Sequence, residues 1–443
     1  MGTVQHTLQK GSLHRTLRLR DLIFYGIIII QPTAPMSMYG VVSQEARGHV
    51  VVTILAAMVA MLLTAVGYGR MARVYPSAGS AYAYIAAEFG STTGSLVGWA
   101  MLLDYVLNPL ICTIWCSAAA ANFFPVIPTP VWKIFFATLF TCLNLRGIEA
   151  SARTNRWLTI IMSAVVVFLL FDFWRYIVLH GSFTSTTFLK PFYDPSTFSL
   201  RAVSTGTSIA ALTYIGFDSI STLSEEAVNP RRDIMLATVL TCLLTGVLAA
   251  AEVYPAQLVW PDYWHYPNVD TAYVFVAGRA GGPALFGLIN TTLLVATIGS
   301  GTAAMLGAAR LLYGMGTQGA LPRMFAFVNP SRGVPSRNVL ICGAIALIGA
   351  WSMSYQLGAE LLNFGAFLAF AGVNASSFRY YWWKGNSRTW SHAVIPICGF
   401  AVCLYIWLSL RTQAKLAGFV WITVGCLYFV IRRIVQRRSP ESA

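Results

Sequence analysis

Charge is what this sequence has least of. Only 10% of its 443 residues are Asp, Glu, Lys or Arg, against roughly 25% in a soluble domain. So few charges cannot cover a water-facing surface of this size, which excludes a soluble globular protein. No histidine lies in the middle of an apolar run: His6, His14, His49, His180, His265 and His392 fall in tails, loops or run ends. That excludes a histidine-based metal centre or an intramembrane protease dyad, and with no nucleophile–base pair at depth no enzyme is expected. The eight cysteines (Cys112, Cys116, Cys142, Cys242, Cys342, Cys398, Cys403, Cys426) sit in apolar segments, none at metal-ligand spacing with a histidine nearby. They read as small buried hydrophobes. No small-residue cleavage site follows the first apolar run, so that run reads as a retained span and not as a signal peptide.

What is abundant is apolar. The chain is 56% hydrophobic and 13% aromatic, with a mean hydropathy of +0.63. A helix rising ~1.5 Å per residue needs roughly 20 residues to cross ~30 Å of hydrocarbon, and runs of that order recur along the whole chain. Breaks at basic, Gly and Pro positions place spans near 22–43, 50–69, 92–122, 129–145, 155–177, 202–226, 234–258, 283–313, 338–353, 358–376, 391–410 and 416–434. The expectation is an all-α membrane protein of about twelve transmembrane helices.

The formal net charge of +14 follows these spans. Basic residues occupy short connectors and do not line one face, so lipid phosphates and not nucleic acid are the expected partners. With the N-terminus inside, one side collects Lys10, Arg15, Arg18, Arg20, Arg70, Arg73, Arg146, Arg153, Arg156, Arg231, Arg232, Arg310, Arg323, Arg332, Arg337, Arg379, Lys384, Arg388 and the Arg432 to Arg438 cluster. Such an asymmetry is what the positive-inside rule requires, and an even number of spans returns the C-terminus to the cytoplasm. The expected organisation is a cytoplasmic tail over 1–21, a ten-helix transport core over 22–376, two accessory helices over 377–434 and a tail over 435–443.

Two spans are interrupted. The first contains Gln31-Pro32-Thr33-Ala34-Pro35, where two prolines remove backbone donors and leave carbonyls one turn earlier without partners. The sixth contains Tyr214-Ile215-Gly216-Phe217-Asp218, a glycine and an acid in mid-span. Breaks five spans apart are expected of two inverted five-helix repeats whose broken helices 1 and 6 meet near the bilayer midplane, where substrates bind.

Acids at depth need a reason, because each costs at least ~2.5 kcal/mol on insertion scales. Asp104 lies roughly 12 to 20 Å into the third span, either as counter-ion for a substrate ammonium or as acceptor for another helix. Asp218 either faces the cavity or caps the second half of its helix. Glu225 and Glu226, just before Asn229-Pro230-Arg231-Arg232, read as a salt-bridge or gate pair. Asp172 and Arg175 are expected to pair across one turn, and Glu252, near an outer helix end, carries no special assignment. Tyr105, Tyr214, Phe217 and Trp115 are candidates for an aromatic cage around an alkylammonium, though most aromatics in so rich a chain must simply pack.

These motifs resemble the amino acid-polyamine-organocation superfamily, most closely its bacterial putrescine importers. The likeness is carried by Tyr68-Gly69, Pro76-Ser77-Ala78-Gly79-Ser80-Ala81-Tyr82, Val97-Gly98-Trp99, Gly216-Phe217-Asp218, Leu223-Ser224-Glu225-Glu226, Arg310-Leu311-Leu312-Tyr313 and Asn363-Phe364-Gly365-Ala366. Leu102-Leu103-Asp104-Tyr105 followed by Pro109 is similar to the putrescine importers in particular. The resemblance implies a LeuT-type 5+5 inverted repeat in a bacterial inner membrane and import of a small organic cation by alternating access. Asp104, Tyr105, Tyr214, Gly216, Phe217, Asp218, Pro32 and Thr33 would then surround the substrate, with Glu225 and Glu226 as gate or coupling residues. Amino acid permeases of this type hold a substrate carboxylate on free N–H groups of a glycine-rich first break; two prolines here remove such donors, which favours a substrate without a carboxylate. The chain departs from the importers at Ser37, where they carry an acid, and at the extra Pro35. No lysine occurs between Lys133 and Lys190, so the fifth-span lysine of proton-coupled relatives is unmatched. Coupling stays open among a proton, sodium and a counter-substrate; no cofactor or metal is expected, and an amino acid permease or exchanger is the alternative.

Overall fold

A computed structural model describes residues 16–76, 80–146, 152–180, 184–317, 321–329, 333–385 and 389–438. Lys10, Arg15, Ser77, Ala78, Gly79, Arg332 and Arg388 lie outside the described residues, as do the side chains of Arg153, Glu225, Arg433, Arg437 and Arg438. The described chain is helical, with two isolated bridges and no strand.

The helices follow the hydropathy pattern closely. They are α1 (Leu19–Ile30), α2 (Tyr39–Glu45), α3 (Val50–Val74), α4 (Ser80–Phe89), α5 (Ser91–Phe123), α6 (Thr129–Leu145), α7 (Ala152–His180) and α8 (Ser185–Leu189). After these come α9 (Leu200–Ala210), α10 (Pro230–Val259), α11 (Ala272–Thr317), α12 (Ser336–Ser352), α13 (Tyr355–Phe378), α14 (Trp390–Ser409) and α15 (Thr412–Arg438). Among the described residues eight helices are long and apolar enough to cross a membrane, nine with the bent pair of the first span. The shorter apolar helices α6 and α12 and the interrupted 200–225 segment are the further elements that a count of twelve requires.

Two elements depart from expectation. α4 occupies a connector in which no helix was expected, and α11 begins eleven residues before the expected 283, its first part ending at Gly281 and Gly282, whose backbones are non-helical, ahead of Pro283. Three cysteines also depart. Cys142, Cys398 and Cys426 are exposed on α6, α14 and α15, while the other five are buried. Hydrocarbon-facing positions tolerate small apolar side chains as readily as the core does.

α5 runs through the centre, packed by α4, α6, α11, α12, α13 and α15, while α3 lies along α10. Small residues permit the closest approaches: a methyl group on Gly246 of α10 would run into Met58 of α3. α15 is held to α5 by a reciprocal pair. The Trp99 indole N–H donates to the Trp421 carbonyl and the Trp421 N–H to the Trp99 carbonyl, both at 2.9 Å, with the rings stacked 4.6 Å apart. Trp421→Ala removes both the stack and one bond and is expected to lower stability by about 3 kcal/mol without changing ligand affinity. Thermal unfolding and ligand binding on the same sample check this.

Candidate substrate site

Each broken span is two half-helices joined by unwound chain. In the first, α1 ends at Ile30, Gln31 takes φ +67°, a short 3-10 turn covers Ala34–Ser37, and α2 continues at 58° to the first part. Prolines 32 and 35 supply no backbone donor, so the helical ladder stops where the sequence said it would. In the sixth, α9 ends at Ala210, a 3-10 turn covers Ala211–Tyr214, and a second 3-10 helix runs Phe217–Glu225. Nine residues of 3-10 helix are unusual. Here Ser221, Thr222 and Ser224 each return a hydroxyl hydrogen bond to the carbonyl three residues earlier.

The two breaks touch. α1 packs on Phe217–Glu225, α2 packs on α9, and the Ala34–Ser37 turn meets the Ala211–Tyr214 turn. First half against second half in both directions means that the broken spans cross antiparallel. Gly216 is at the crossing with φ +113°, and a methyl group on it would lie 2.5 Å from Ile29 Cγ2. Spans 2 and 7 (α3, α10) and spans 3 and 8 (α5, α11) are likewise in contact, each five apart in sequence.

Asp104 of α5 and Asp218 beside the second break come close enough to interact electrostatically, and both are half-buried. Among the described residues neither forms an ion pair with Lys, Arg or His. The backbone N–H groups of Gly216, Asp218 and Ser219 lie toward the Asp218 carboxylate. Were both carboxylates ionised they would repel, and a cation placed between them would relieve that repulsion and favour the charged forms.

Two tyrosines lie within electrostatic reach of both acids. Tyr105 is half-buried against Gly307 of α11 and lies in electrostatic contact with both acids and with Tyr25 of α1. Phe217 is fully buried, its ring 5.5 Å from Tyr68 and 5.3 Å from Phe370. Tyr68 was absent from the sequence-derived set as a site residue, yet among the described residues its buried phenol has no hydrogen-bond partner, and it lies in electrostatic contact with Asp218 and Asp104. Its only signal was a place in the Tyr68-Gly69 motif.

Other candidates sit elsewhere. The Tyr214 phenol donates to the Ile54 carbonyl of α3 at 2.9 Å, which commits its hydrogen to a structural bond. Tyr214→Phe is therefore expected to cost ~1 kcal/mol of stability and to leave substrate affinity unchanged, as unfolding and binding curves would check. Trp115 is buried in the apolar core. Pro32 and Thr33 are buried within the first break. Glu226 forms no ion pair with Arg231 or Arg232 among the described residues; its carbonyl accepts from the N–H groups of Thr16 and Leu17, and Val228 N–H donates to the Leu17 carbonyl. The N-terminal segment is thereby stitched to the end of the sixth span. Asp172 and Arg175 pair at 2.9 Å as expected.

Two buried acids escaped the sequence reading. Glu88 of α4 accepts from the Tyr75 hydroxyl and from Lys384 Nζ, both at 2.9 Å, and Arg379 stands 3.8 Å away. Glu360 of α13 pairs with Arg411 at 2.7 Å, while Gln356 one turn earlier donates to Glu45 at the end of α2 at 2.7 Å.

A profile of the amino acid permease family matches residues 22–431. The low-affinity putrescine importer PlaP of Escherichia coli (strain K12) is 32% identical over 428 residues, covering 94% of this chain and 93% of the relative. The methylthioribose transporter of Bacillus subtilis (strain 168) is 27% identical, with 98% and 96% covered. The branched-chain amino acid permease BcaP of Lactococcus lactis is 26% identical, with 94% of each chain covered.

Proposed function

Because the chain belongs to the amino acid permease family, we propose that it is a secondary transporter importing a small organic cation, a polyamine such as putrescine, by alternating access across a bacterial inner membrane. Both termini are cytoplasmic in this reading, which the basic connectors support. One observation carries the choice of substrate class: Asp104 of α5 lies within electrostatic reach of Asp218 beside the second break, and among the described residues neither forms an ion pair with a protein cation. An ammonium group supplies the missing charge. Tyr105 and Tyr68 line its alkyl chain and offer ring faces to it, and the proline-broken first span offers few N–H donors to a carboxylate. The relatives named above carry three different substrates in their names, so family membership leaves the substrate to be decided by the site.

Alternating access is supported by the geometry of the crossing. Half-helices joined by unwound chain within each span can tilt as antiparallel pairs against the central α5. A second reading, an amino acid permease, is favoured by the name of the Lactococcus relative. Uptake of labelled putrescine into proteoliposomes, with cadaverine, spermidine, arginine and lysine as competitors, separates the two. Competition by diamines alone supports the proposal; competition by amino acids alone removes it.

A further inference from the structure

Glu252 lies in α10, seven residues before its end at Val259, or ~10 Å inside that end. Sequence position alone gave it no role. In the fold it is completely buried, and among the described residues neither carboxylate oxygen has a hydrogen-bond partner. The two buried acids Glu88 and Glu360 each have a cation: Glu88 has Lys384 and Arg379, and Glu360 has Arg411.

The groups around Glu252 are neutral. Tyr273 of α11 faces it and donates its hydroxyl hydrogen to the Glu252 backbone carbonyl at 3.1 Å, not to the carboxyl group. Behind Tyr273 stands Tyr39 of α2, rings 5.2 Å apart edge to face, and Tyr266 completes the group at 6.2 Å from Tyr39. α7, which also packs on α10, brings Asp172, already paired with Arg175. Among the described residues no charged group of α1, α3, α7, α11 or the 3-10 segments Ala34–Ser37, Ala211–Tyr214 and Phe217–Glu225, Asp218 included, interacts with the Glu252 carboxyl group. An ionised carboxylate in such a place would cost several kcal/mol, whereas the neutral acid costs far less.

We infer that Glu252 is a proton-binding site coupled to the position of α2: the packed arrangement seen here requires the neutral acid, and ionisation requires that Tyr39 and Tyr273 part to admit water. The step is simple in its balance. A carboxylate takes one proton from water as the aromatic lid closes and returns it when the lid opens. By linkage, whichever conformation binds the proton more tightly is favoured as pH falls, so low pH favours the closed arrangement and high pH the open one. If the transport proposal holds, this makes uptake depend on proton concentration; that consequence alone rests on the proposal.

The test uses no substrate, so it stands apart from the transport reading. Hydrogen exchange of residues 39–45 is followed in the full-length protein in lipid nanodiscs between about pH 5.5 and about pH 8.5, with rates corrected for intrinsic exchange. The corrected rate in the wild type is expected to rise with pH, by up to ~10-fold per unit where the site titrates. In Glu252→Gln, which keeps the shape without the charge, it is expected to stay low and flat. Glu252→Met serves the same purpose if the glutamine variant is not recovered. A flat wild-type profile overturns the inference, as does a rise that persists in either variant.

Discussion

Asp104→Asn is expected to weaken putrescine binding by roughly 30-fold or more, because truncating one partner of a desolvated charge pair costs about 2 kcal/mol or more. Asparagine keeps the volume and a hydrogen-bond acceptor, so the loss reports charge and not packing. Asp104 has no ion-pair partner among the described residues, and the variant therefore leaves no cation stranded. The fold should be unharmed, and thermal stability should hold or rise as the repulsion from Asp218 falls. Asp218→Asn is expected to lose binding too, with some loss of stability, since that carboxylate also faces the backbone N–H groups of the second break. Scintillation proximity binding together with unfolding curves for the two variants would check both halves. Unchanged affinity in Asp104→Asn would remove the acid pair from substrate recognition.

Gly216→Ala is expected to be strongly damaging. Its φ of +113° lies in the left-handed region, which costs a side chain ~1–2 kcal/mol, and the added methyl would sit 2.5 Å from Ile29 Cγ2. Relieving that contact pushes α1 away from the start of the Phe217–Glu225 helix at the point where the two breaks cross. Uptake is expected to fall by at least ~10-fold and stability by ~2 kcal/mol or more. Adding Ile29→Ala removes the collision but not the backbone strain, so the double variant should recover part of the loss. Equal damage in single and double variants would place the whole effect in the backbone.

Much of this architecture was legible because a bilayer imposes one length on every crossing element. The expected spans and the observed helices agree to within a few residues over α3, α5, α6, α12 and α14. The breaks were legible for a different reason: Pro32 and Pro35 cannot donate, and Gly216 next to Asp218 is out of place in an apolar run. Asp104 stood out because charge at depth is costly. All these signals are local.

What was not legible depends on direction and on neighbours. A helix that unwinds loses its 3.6-residue phase, so nothing in the sequence told that Tyr214 turns to Ile54 of α3 while Phe217, three residues on, turns to Tyr68. Hydrocarbon and protein core are equally apolar, so exposed Cys142, Cys398 and Cys426 could not be told from buried Cys242. α4 is only ten residues long and lies in a connector, which hid Glu88 with it. The first part of α11 ends at Gly281 and Gly282, immediately before 283, where the span was expected to begin, so the helix ahead of them went unread. Glu252 was given no special assignment because distance from a helix end says nothing about burial; Tyr273, distant in sequence, bonds its backbone carbonyl, and Tyr39 packs on Tyr273.

The most direct test of the cation site compares two ligands that differ by one group. Ornithine is putrescine with a carboxylate added, so equilibrium binding of labelled putrescine to the purified protein, displaced by each, isolates what the site does with that carboxylate. Two acids without a protein cation should repel it. Displacement by putrescine with ornithine at least ~10-fold weaker, a gap of about 1.4 kcal/mol, is the result expected; ornithine binding as tightly as putrescine, or more tightly, would contradict it.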